Sequence, residues 1–460
     1  MTTDPGPELA KTDDGPSPVR GVSRRFVVAL TLVVGAGLAW RFIYIIAVRR
    51  TVSVNGPNDY FLYGDAFYYH EQANLIARGW WYVEPLHFLR EGVTLPSAGH
   101  PPFASAFYAL ASVFGFDGVT DHRLAAAVMG AGTVAIIGIV VWKLAGERAG
   151  IVAAVIAAAY PMLWINDAIL LGETAAQFAT ALFLLAAFAF WRRPGRRSAV
   201  WLGLALGLAM LSRSELALCA LIVVVPVCWL AGRPRVERRE RAARVALAAV
   251  AAAALIAPWS IFNSIRFDQP VFLTTGQGAV LSAGACDDVF YGSAIGYYAN
   301  CFQGPWPRLG QNEVERDTEP RTQAFEYIGD HLGRLPVVVA ARVGRGWGVF
   351  RPGQTTLLDW SLEGRGRGAS WIGLIMYYAL LPFGVAGLIW MRRHRITILP
   401  IVGLAASFTF AIASTFGVTR YRAPFEVGLV VVGALGIDWM IMSIVRRRRS
   451  RRAEELLPTR

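Results

Sequence analysis

Residues 198–232 read SAVWLGLALGLAMLSRSELALCALIVVVPVCWLAG, an apolar run interrupted near its centre by Ser212-Arg213-Ser214-Glu215. A helix crosses the roughly 30 Å of membrane hydrocarbon in about 20 residues. The stretch is therefore too long for one crossing, and the polar break divides it into two spans, 198–212 and 215–232, joined by a tight hairpin. That division sets the sidedness of every span that follows.

Working outward, apolar runs of similar length recur along the chain. The expected spans are 26–48, 122–144, 149–165, 168–191, 198–212, 215–232, 243–263, 369–391, 396–415 and 423–445. The composition agrees: 55% of the 460 residues are hydrophobic, only 17% are charged, and the mean hydropathy is +0.43. Soluble domains carry about a quarter charged residues. The run 101–115 is also apolar but short and begins with Pro101 and Pro102, so it reads as a helix lying at the interface.

Charge tests the count. The net charge is +13 and the only lysines are Lys11 and Lys143. With the N-terminus inside, ten spans place Lys143 and Arg148, Arg192–Arg197, Arg233–Arg244, Arg392–Arg395 and Arg446–Arg452 on the cytoplasmic side, as basic loops prefer. The short turns near Asn166, Ser214 and Thr419 then fall outside and carry few charges. One span more or fewer would reverse everything after it. Arginines confined to short inter-span segments also argue against nucleic acid as a partner.

The expected fold is thus an all-α polytopic membrane protein of about ten transmembrane helices. Interfacial helices lie in the first outer loop, and a small extracytoplasmic segment separates spans seven and eight. Residues 1–23 form a disordered cytoplasmic tail, 24–263 an N-terminal transmembrane module with its first outer loop at 49–121, and 264–368 the extracytoplasmic segment. Residues 369–445 supply the C-terminal spans and 446–460 a basic cytoplasmic tail. No small-residue cleavage site follows the first apolar run, which reads as a retained span. Arginine and alanine usage suggests a GC-rich bacterial genome, hence the bacterial plasma (inner) membrane. No internal repeat is visible, which weakens a transporter built from duplicated halves.

Cys219 and Cys228 fall within a span and read as small buried thiols. Cys286 and Cys301 share the second outer segment, where an oxidising compartment would let them pair, a closure contributing about 3 kcal/mol in the chain-entropy model.

The densest chemistry lies in Gly64-Asp65-Ala66-Phe67-Tyr68-Tyr69-His70-Glu71-Gln72-Ala73, continuing to Arg78-Gly79-Trp80-Trp81-Tyr82, and in His100-Pro101-Pro102-Phe103. Residues 66–78 can form an amphipathic helix on the membrane surface, ended by Gly79, with His70 and Glu71 facing water. Asp65 is placed either to cap that helix or to act as a base at the water–lipid boundary.

This order of one span, an Asp-Tyr-Tyr helix, a Gly-Trp-Trp break and a His-Pro-Pro helix resembles the opening of the GT-C glycosyltransferases. The similarity is greatest to the branch with protein O-mannosyltransferases and the lipid A aminoarabinose transferase. Gly172-Glu173-Thr174, Ser212-Arg213-Ser214-Glu215, the aromatic outer segment with its cysteine pair, and Thr419-Arg420-Tyr421-Arg422-Ala423-Pro424 extend the resemblance over about 26–445. It implies transfer of a sugar from a polyprenyl-phosphate donor to a protein, glycolipid or polysaccharide acceptor outside the membrane, with membrane lipids as surroundings. It also implies that Asp65 matches the family's catalytic aspartate.

A carboxylate can deprotonate an acceptor hydroxyl as it attacks the anomeric carbon, and a single inverting displacement needs only that base. The leaving phosphate calls for a cation, and arginine meets phosphate oxygens in pairs. Arg420 and Arg422 stand at the outer end of a span, against the positive-inside trend, and Arg213 is a similar exception. Snorkelling toward headgroups is the alternative; the resemblance favours Arg420 or Arg422 as the phosphate clamp.

Glu173 opens an apolar span and reads either as a substrate-binding acid or as a favourable charge at a helix start. His100 orients an acceptor or caps its helix, and Tyr69 joins the substrate-binding set. Asp59 and Asp65 are too far apart for the Asp-X-Asp metal motif of some relatives, so no metal and no cofactor is expected. The Asp287-Asp288 pair reads as a solvated turn. Competing readings are a transporter or flippase of lipid-linked sugars, which needs no base, and a non-catalytic envelope assembly protein.

Overall fold

The computed structural model describes residues 22–49, 64–302 and 311–455. Most of the expected N-terminal tail (1–21), Asp59 and the end of the basic C-terminal tail (456–460) lie outside the described residues. Among the described residues all regular elements are helical, with a single isolated bridge between Val83 and Pro96.

Helix α1 (Arg24–Ile43) continues as a π turn to Arg49. The expected first outer loop (49–121) holds α2 (Gly64–Ala77), α3 (Pro85–Glu91) and α4 (Phe103–Val113). Then come α5 (Val119–Ala145), α6 (Glu147–Ala159), α7 (Glu173–Arg192), α8 (Arg196–Met210), α9 (Val225–Leu230) and α10 (Arg238–Phe267). A 3-10 turn at Ser214–Ala217 and a π turn at Ala220–Val224 lead into α9. The expected outer segment (264–368) contains α11 (Gln277–Ser282), α12 (Asp287–Phe290), α13 (Glu313–Asp330), α14 (Leu335–Gly346) and α15 (Pro352–Leu362). The chain closes with α16 (Arg367–Arg393), α17 (Leu399–Ser414) and α18 (Ala423–Glu455).

Each of the ten expected spans overlaps a helix. Six described segments are long and apolar enough to cross a membrane: Arg24–Arg49, Val119–Ala145, Glu173–Arg192, Arg238–Phe267, Arg367–Arg393 and Thr419–Arg449. The other four are shorter: α6, α8, the composite Ser214–Leu230 and α17. Packing between them relies on small residues. A Cβ at Gly387 of α16 would overlap the Val432 carbonyl of α18, and one at Gly436 of α18 would overlap the Phe383 carbonyl of α16. Only glycine lets these two backbones touch, the device by which apolar helices associate without a hydrophobic driving force.

Three expectations about local structure need correction. The first is the short outer turn near Asn166. Helix α6 stops at Ala159, ahead of the Tyr160-Pro161 pair that disfavours helical backbone, and α7 starts only at Glu173. The intervening stretch is buried and, apart from a 3-10 turn at Pro161–Leu163, irregular, and Asn166 and Asp167 are within it. Its backbone is satisfied from the side: Gln177 Nε2 donates to Met162 O (2.7 Å) and Arg41 Nη2 to Leu163 O (3.2 Å). Irregular backbone in a membrane protein survives where protein surrounds it.

Second, α2 is not a water-facing surface helix. Tyr69, His70, Gln72, Ala73, Asn74 and Leu75 are buried, and Tyr69 and Ala73 pack against Tyr108 of α4 and Met129 of α5. His70 sits with its Nδ1 2.9 Å from Nδ1 of His122 at the head of α5, which overturns the expectation that it faces water; Glu71 is half-buried. The apolar surface that α4 presents outward is Leu110, Val113 and Phe114 instead.

Third, Asp287 and Asp288 are exposed as expected but are part of a short helix and not a turn. They open α12, and Tyr327 Oη donates to Asp287 Oδ1 at 2.6 Å. Beside them Cys286 and Cys301 are joined as a disulfide with Cα atoms 5.5 Å apart, while Cys219 and Cys228 are free and buried.

Candidate active site

Five separate segments meet at one cavity of about 850 Å³. They are the start of α2, the His100 loop before α4, the head of α7, the 212–215 break after α8, and the 419–422 turn before α18. The loop 269–276 and helices α11 and α13 close the side opposite these segments. Asp65, Tyr69, His100, Glu173, Arg213 and Arg420 all line it; Arg422 does not.

Asp65 falls in the first turn of α2, so it is not the cap residue of a helix starting at 66. Both of its oxygens face cationic or basic groups. Oδ2 accepts from Arg420 Nη1 at 2.6 Å, across 355 residues of sequence, and Oδ1 lies 3.5 Å from His100 Nε2. Burial alone would raise the Asp65 carboxyl, but Arg420 first, then His100 and Arg213, outweigh it and hold the group well below the usual carboxylate range.

His100 is fixed by ring contacts to Tyr68 (4.7 Å between centroids) and Tyr69 (5.0 Å). The loop leading to it is anchored from the outer segment. Glu313, the first residue of α13, accepts from Ser97 Oγ (2.6 Å), Ala98 N (2.7 Å) and Thr275 Oγ1 (2.6 Å). Tyr69 points its hydroxyl at Gly172, where any Cβ would overlap it. This close approach is one reason for glycine immediately before Glu173. Burial, followed by the charges of Asp65 and Glu173, pushes the Tyr69 phenol well above its ordinary value, so it stays a neutral hydrogen-bonding group.

Glu173 opens α7 with its side chain 2% exposed. It pairs closely with Arg213 Nη1, while Arg213 Nε pairs closely with Glu215. The Arg213 guanidinium stacks over the Tyr421 ring at 4.6 Å. Arg420 adds two longer contacts, Nη1 to Glu363 Oε2 at 3.2 Å and Nε to Glu173 Oε1 at 4.0 Å. Four carboxylates thus share two guanidiniums, and Arg420 Nε has no hydrogen-bond partner.

Two residues beyond Arg420, Arg422 has a different fate. It is 1% exposed, donates from Nε to Glu426 and from Nη1 to Gly346 O (3.0 Å), and lies 3.7 Å over the Tyr377 ring. Its guanidinium ties α14, α16 and α18 together. Of the two arginines the sequence left open as phosphate ligand, only Arg420 reaches the cavity.

Glu363, Tyr298 and Glu313 were missed by sequence reasoning. Glu363 sits in the Glu-Gly-Arg-Gly-Arg run after α15, which reads as an ordinary polar linker; only the fold brings it to Arg420. Among the described residues no three His, Cys, Asp or Glu side chains are grouped to hold a metal ion. Arginines occupy the positions between the carboxylates.

With this geometry in place, comparisons add an independent line. Residues 99–262 match the family model described as dolichyl-phosphate-mannose-protein mannosyltransferase. No curated protein matches the chain by sequence. Among solved structures, the chain is similar to the archaeal oligosaccharyltransferase AglB from Archaeoglobus fulgidus, in complex with an inhibitory peptide and a dolichol-phosphate. The identity is 13% and the TM-score 0.49, covering 95% of this chain and 52% of that one. It is also similar to ArnT from Cupriavidus metallidurans bound to undecaprenyl phosphate, with 15% identity and a TM-score of 0.40, covering 90% of this chain and 78% of that one. The chain spans about half the length of the archaeal oligosaccharyltransferase it matches. The family match includes His100, Glu173 and Arg213 and leaves Asp65 and Arg420 outside it. It supports the resemblance to the GT-C membrane glycosyltransferases that the motifs carry.

Proposed function

We propose that this chain transfers a sugar from a polyprenyl-phosphate carrier to an acceptor hydroxyl at the extracytoplasmic face of a bacterial plasma membrane. Asp65 acts as general base and Arg420 as phosphate ligand. The observation that carries the reading is the meeting of Asp65 and Arg420 at 2.6 Å on the wall of the cavity. Support comes also from the family match over 99–262.

The chemistry follows from the contacts. The acceptor oxygen attacks the anomeric carbon, its proton passes to Asp65, the bond from that carbon to the phosphate oxygen breaks, and the polyprenyl phosphate leaves with its charge on Arg420. A carboxylate held low by an arginine is a weak base, and efficient proton transfer wants a value nearer the working pH. The substrate-free pair is therefore a resting state. When a donor phosphate engages Arg420, Asp65 loses part of its stabilisation and becomes more basic at the moment it is needed. Arg213, neutralised by Glu173 and Glu215, serves to shape the wall and orient the donor; His100 and Tyr69 contact the sugar or acceptor.

A panel of labelled polyprenyl-phosphate sugars, offered to purified protein in nanodiscs with a membrane extract as acceptor, tests this. Label should move covalently to an acceptor only when the protein is present. Movement of intact lipid-linked sugar between leaflets, with no bond broken, would instead identify a flippase.

A further inference from the structure

Arg420 Nη1 serves two carboxylates at once, Asp65 Oδ2 at 2.6 Å and Glu363 Oε2 at 3.2 Å. Glu363 comes from the far side, at the end of α15 in the outer segment, and its side chain is 6% exposed. Its other oxygen accepts from Tyr298 Oη at 2.8 Å. The remaining charged group facing it is Arg365, whose Nη1 donates to Thr419 Oγ1 (2.8 Å) and lies 3.8 Å from Asp359 Oδ2. A donor phosphate arriving at Arg420 would make a third anion on one guanidinium. Asp65 must stay to receive the acceptor's proton, so Glu363 is the partner free to give way.

We propose that Glu363 is a positioning residue that holds Arg420 against Asp65 in the empty site and releases it to the donor's phosphate. The inference rests on the reading of Arg420 as phosphate ligand. When it yields Arg420, Glu363 keeps only the Tyr298 hydroxyl (2.8 Å) and the field of Arg365, whose Nη1 is held by Thr419 and Asp359 and whose Nε makes no hydrogen bond. Donor binding therefore takes up one proton at Glu363. Burial already raises the Glu363 carboxyl, with Arg420 and Arg365 opposing and Asp65 adding to the rise; exchanging Arg420 for a phosphate raises it further. Binding coupled to uptake of one proton weakens by up to about tenfold per pH unit as pH rises between the free and bound values.

The test uses full-length protein in nanodiscs and the O-methyl diester of a polyprenyl phosphate, which carries one charge that does not titrate near neutrality and cannot transfer a sugar. Its Kd is measured from pH 5 to 8.5. For wild type the Kd should climb with pH, by up to about tenfold per unit over part of the range. Glu363→Gln should bind several-fold more tightly at pH 8, with a flat profile. Tyr298→Phe removes the hydrogen bond that favours the Glu363 carboxylate, so it should keep the slope and move it to higher pH. A Glu363→Gln protein that elutes as wild type yet keeps the wild-type slope would overturn the inference. Unchanged binding in Arg420→Gln, or no saturable binding by wild type at pH 5, would overturn the underlying phosphate reading and this inference with it.

Discussion

Arg41–Asp167 and Arg420–Asp65 are ion pairs of similar length, 2.8 and 2.6 Å, built from the same side chains. The first is sealed, with side chains 1% and 0% exposed. Each guanidinium nitrogen of Arg41 has an acceptor, in Asp167, Gly37 O and Leu163 O, and the second Asp167 oxygen takes the Thr174 hydroxyl at 2.7 Å. The second pair faces a cavity, with side chains 17% and 30% exposed, leaves Arg420 Nε without a partner, and shares Arg420 with Glu363. A completed buried pair has only one arrangement and anchors the fold. An incomplete pair at a cavity wall can change partners, which is what a site that binds and releases a charged group requires.

The sealed pair should show the largest response to mutation. Removing one member of a buried ion pair strands the other charge, at a cost of about 3–5 kcal/mol. Arg41→Met or Asp167→Ala should therefore lower the melting temperature of the detergent-solubilised protein sharply. A variant as stable as wild type would show that the pair is not sealed in the membrane.

Arg420 and Arg422 allow the comparison within a single turn. Losing a charge-assisted hydrogen bond to phosphate costs about 1.5–3 kcal/mol, so Arg420→Gln should lower transfer by roughly ten- to a hundredfold and lower the melting temperature less than Arg422→Gln does. Arg422→Gln should do the reverse, lowering stability because Glu426 is left buried without its partner. Equal effects of the two substitutions on stability would erase the distinction.

Glu313→Ala should have a smaller effect. It removes the acceptor of two hydrogen bonds from the loop that carries His100 and of a third from Thr275. A loss of about 1–3 kcal/mol, seen as a raised KM for the acceptor and faster hydrogen exchange at Ser97 and Ala98, is expected. Exchange unchanged at those amides would remove Glu313 from the account.

A separate effect is a pH dependence of stability at His70. Burial first, then His122 and Arg123, push its imidazole down to about 4 from an ordinary 6.5. The unfolded chain binds the proton more readily than the folded one, so stability is complete above pH 6.5 and falls as pH drops toward 4. Thermal melts of wild type and His70→Asn across that window should converge at low pH if the imidazole is responsible, and stay parallel if it is not.

Much of this organisation was legible in the sequence, because membrane crossing imposes length and polarity on local stretches of chain. The split of 198–232 at Ser212–Glu215 and the arginines at span ends, Arg213 and Arg420, rest on local composition, and both lead to real features of the site. Asp65, His100, Glu173, Arg213 and Arg420 all stood out as polar groups next to apolar spans, and all reach one cavity. What was not legible depends on contacts between distant segments. Arg420 and Arg422 have the same local surroundings and differ only in what the folded chain places beside them. Glu363 looks like linker until α15 brings it to Arg420, and His70 looks solvated until α4 and α5 cover it. The buried stretch before Glu173 was read as a turn because the partner that satisfies it, Arg41, lies on α1.

The central claim is that Asp65 removes the acceptor's proton. Single-turnover transfer by Asp65→Asn, preloaded with a competent donor in nanodiscs, tests it most directly. The account predicts a chemical step slowed by about 10²–10⁴-fold, with protein stability and saturable donor binding retained. Transfer at the wild-type rate by a protein that binds donor normally would contradict it and place the base elsewhere.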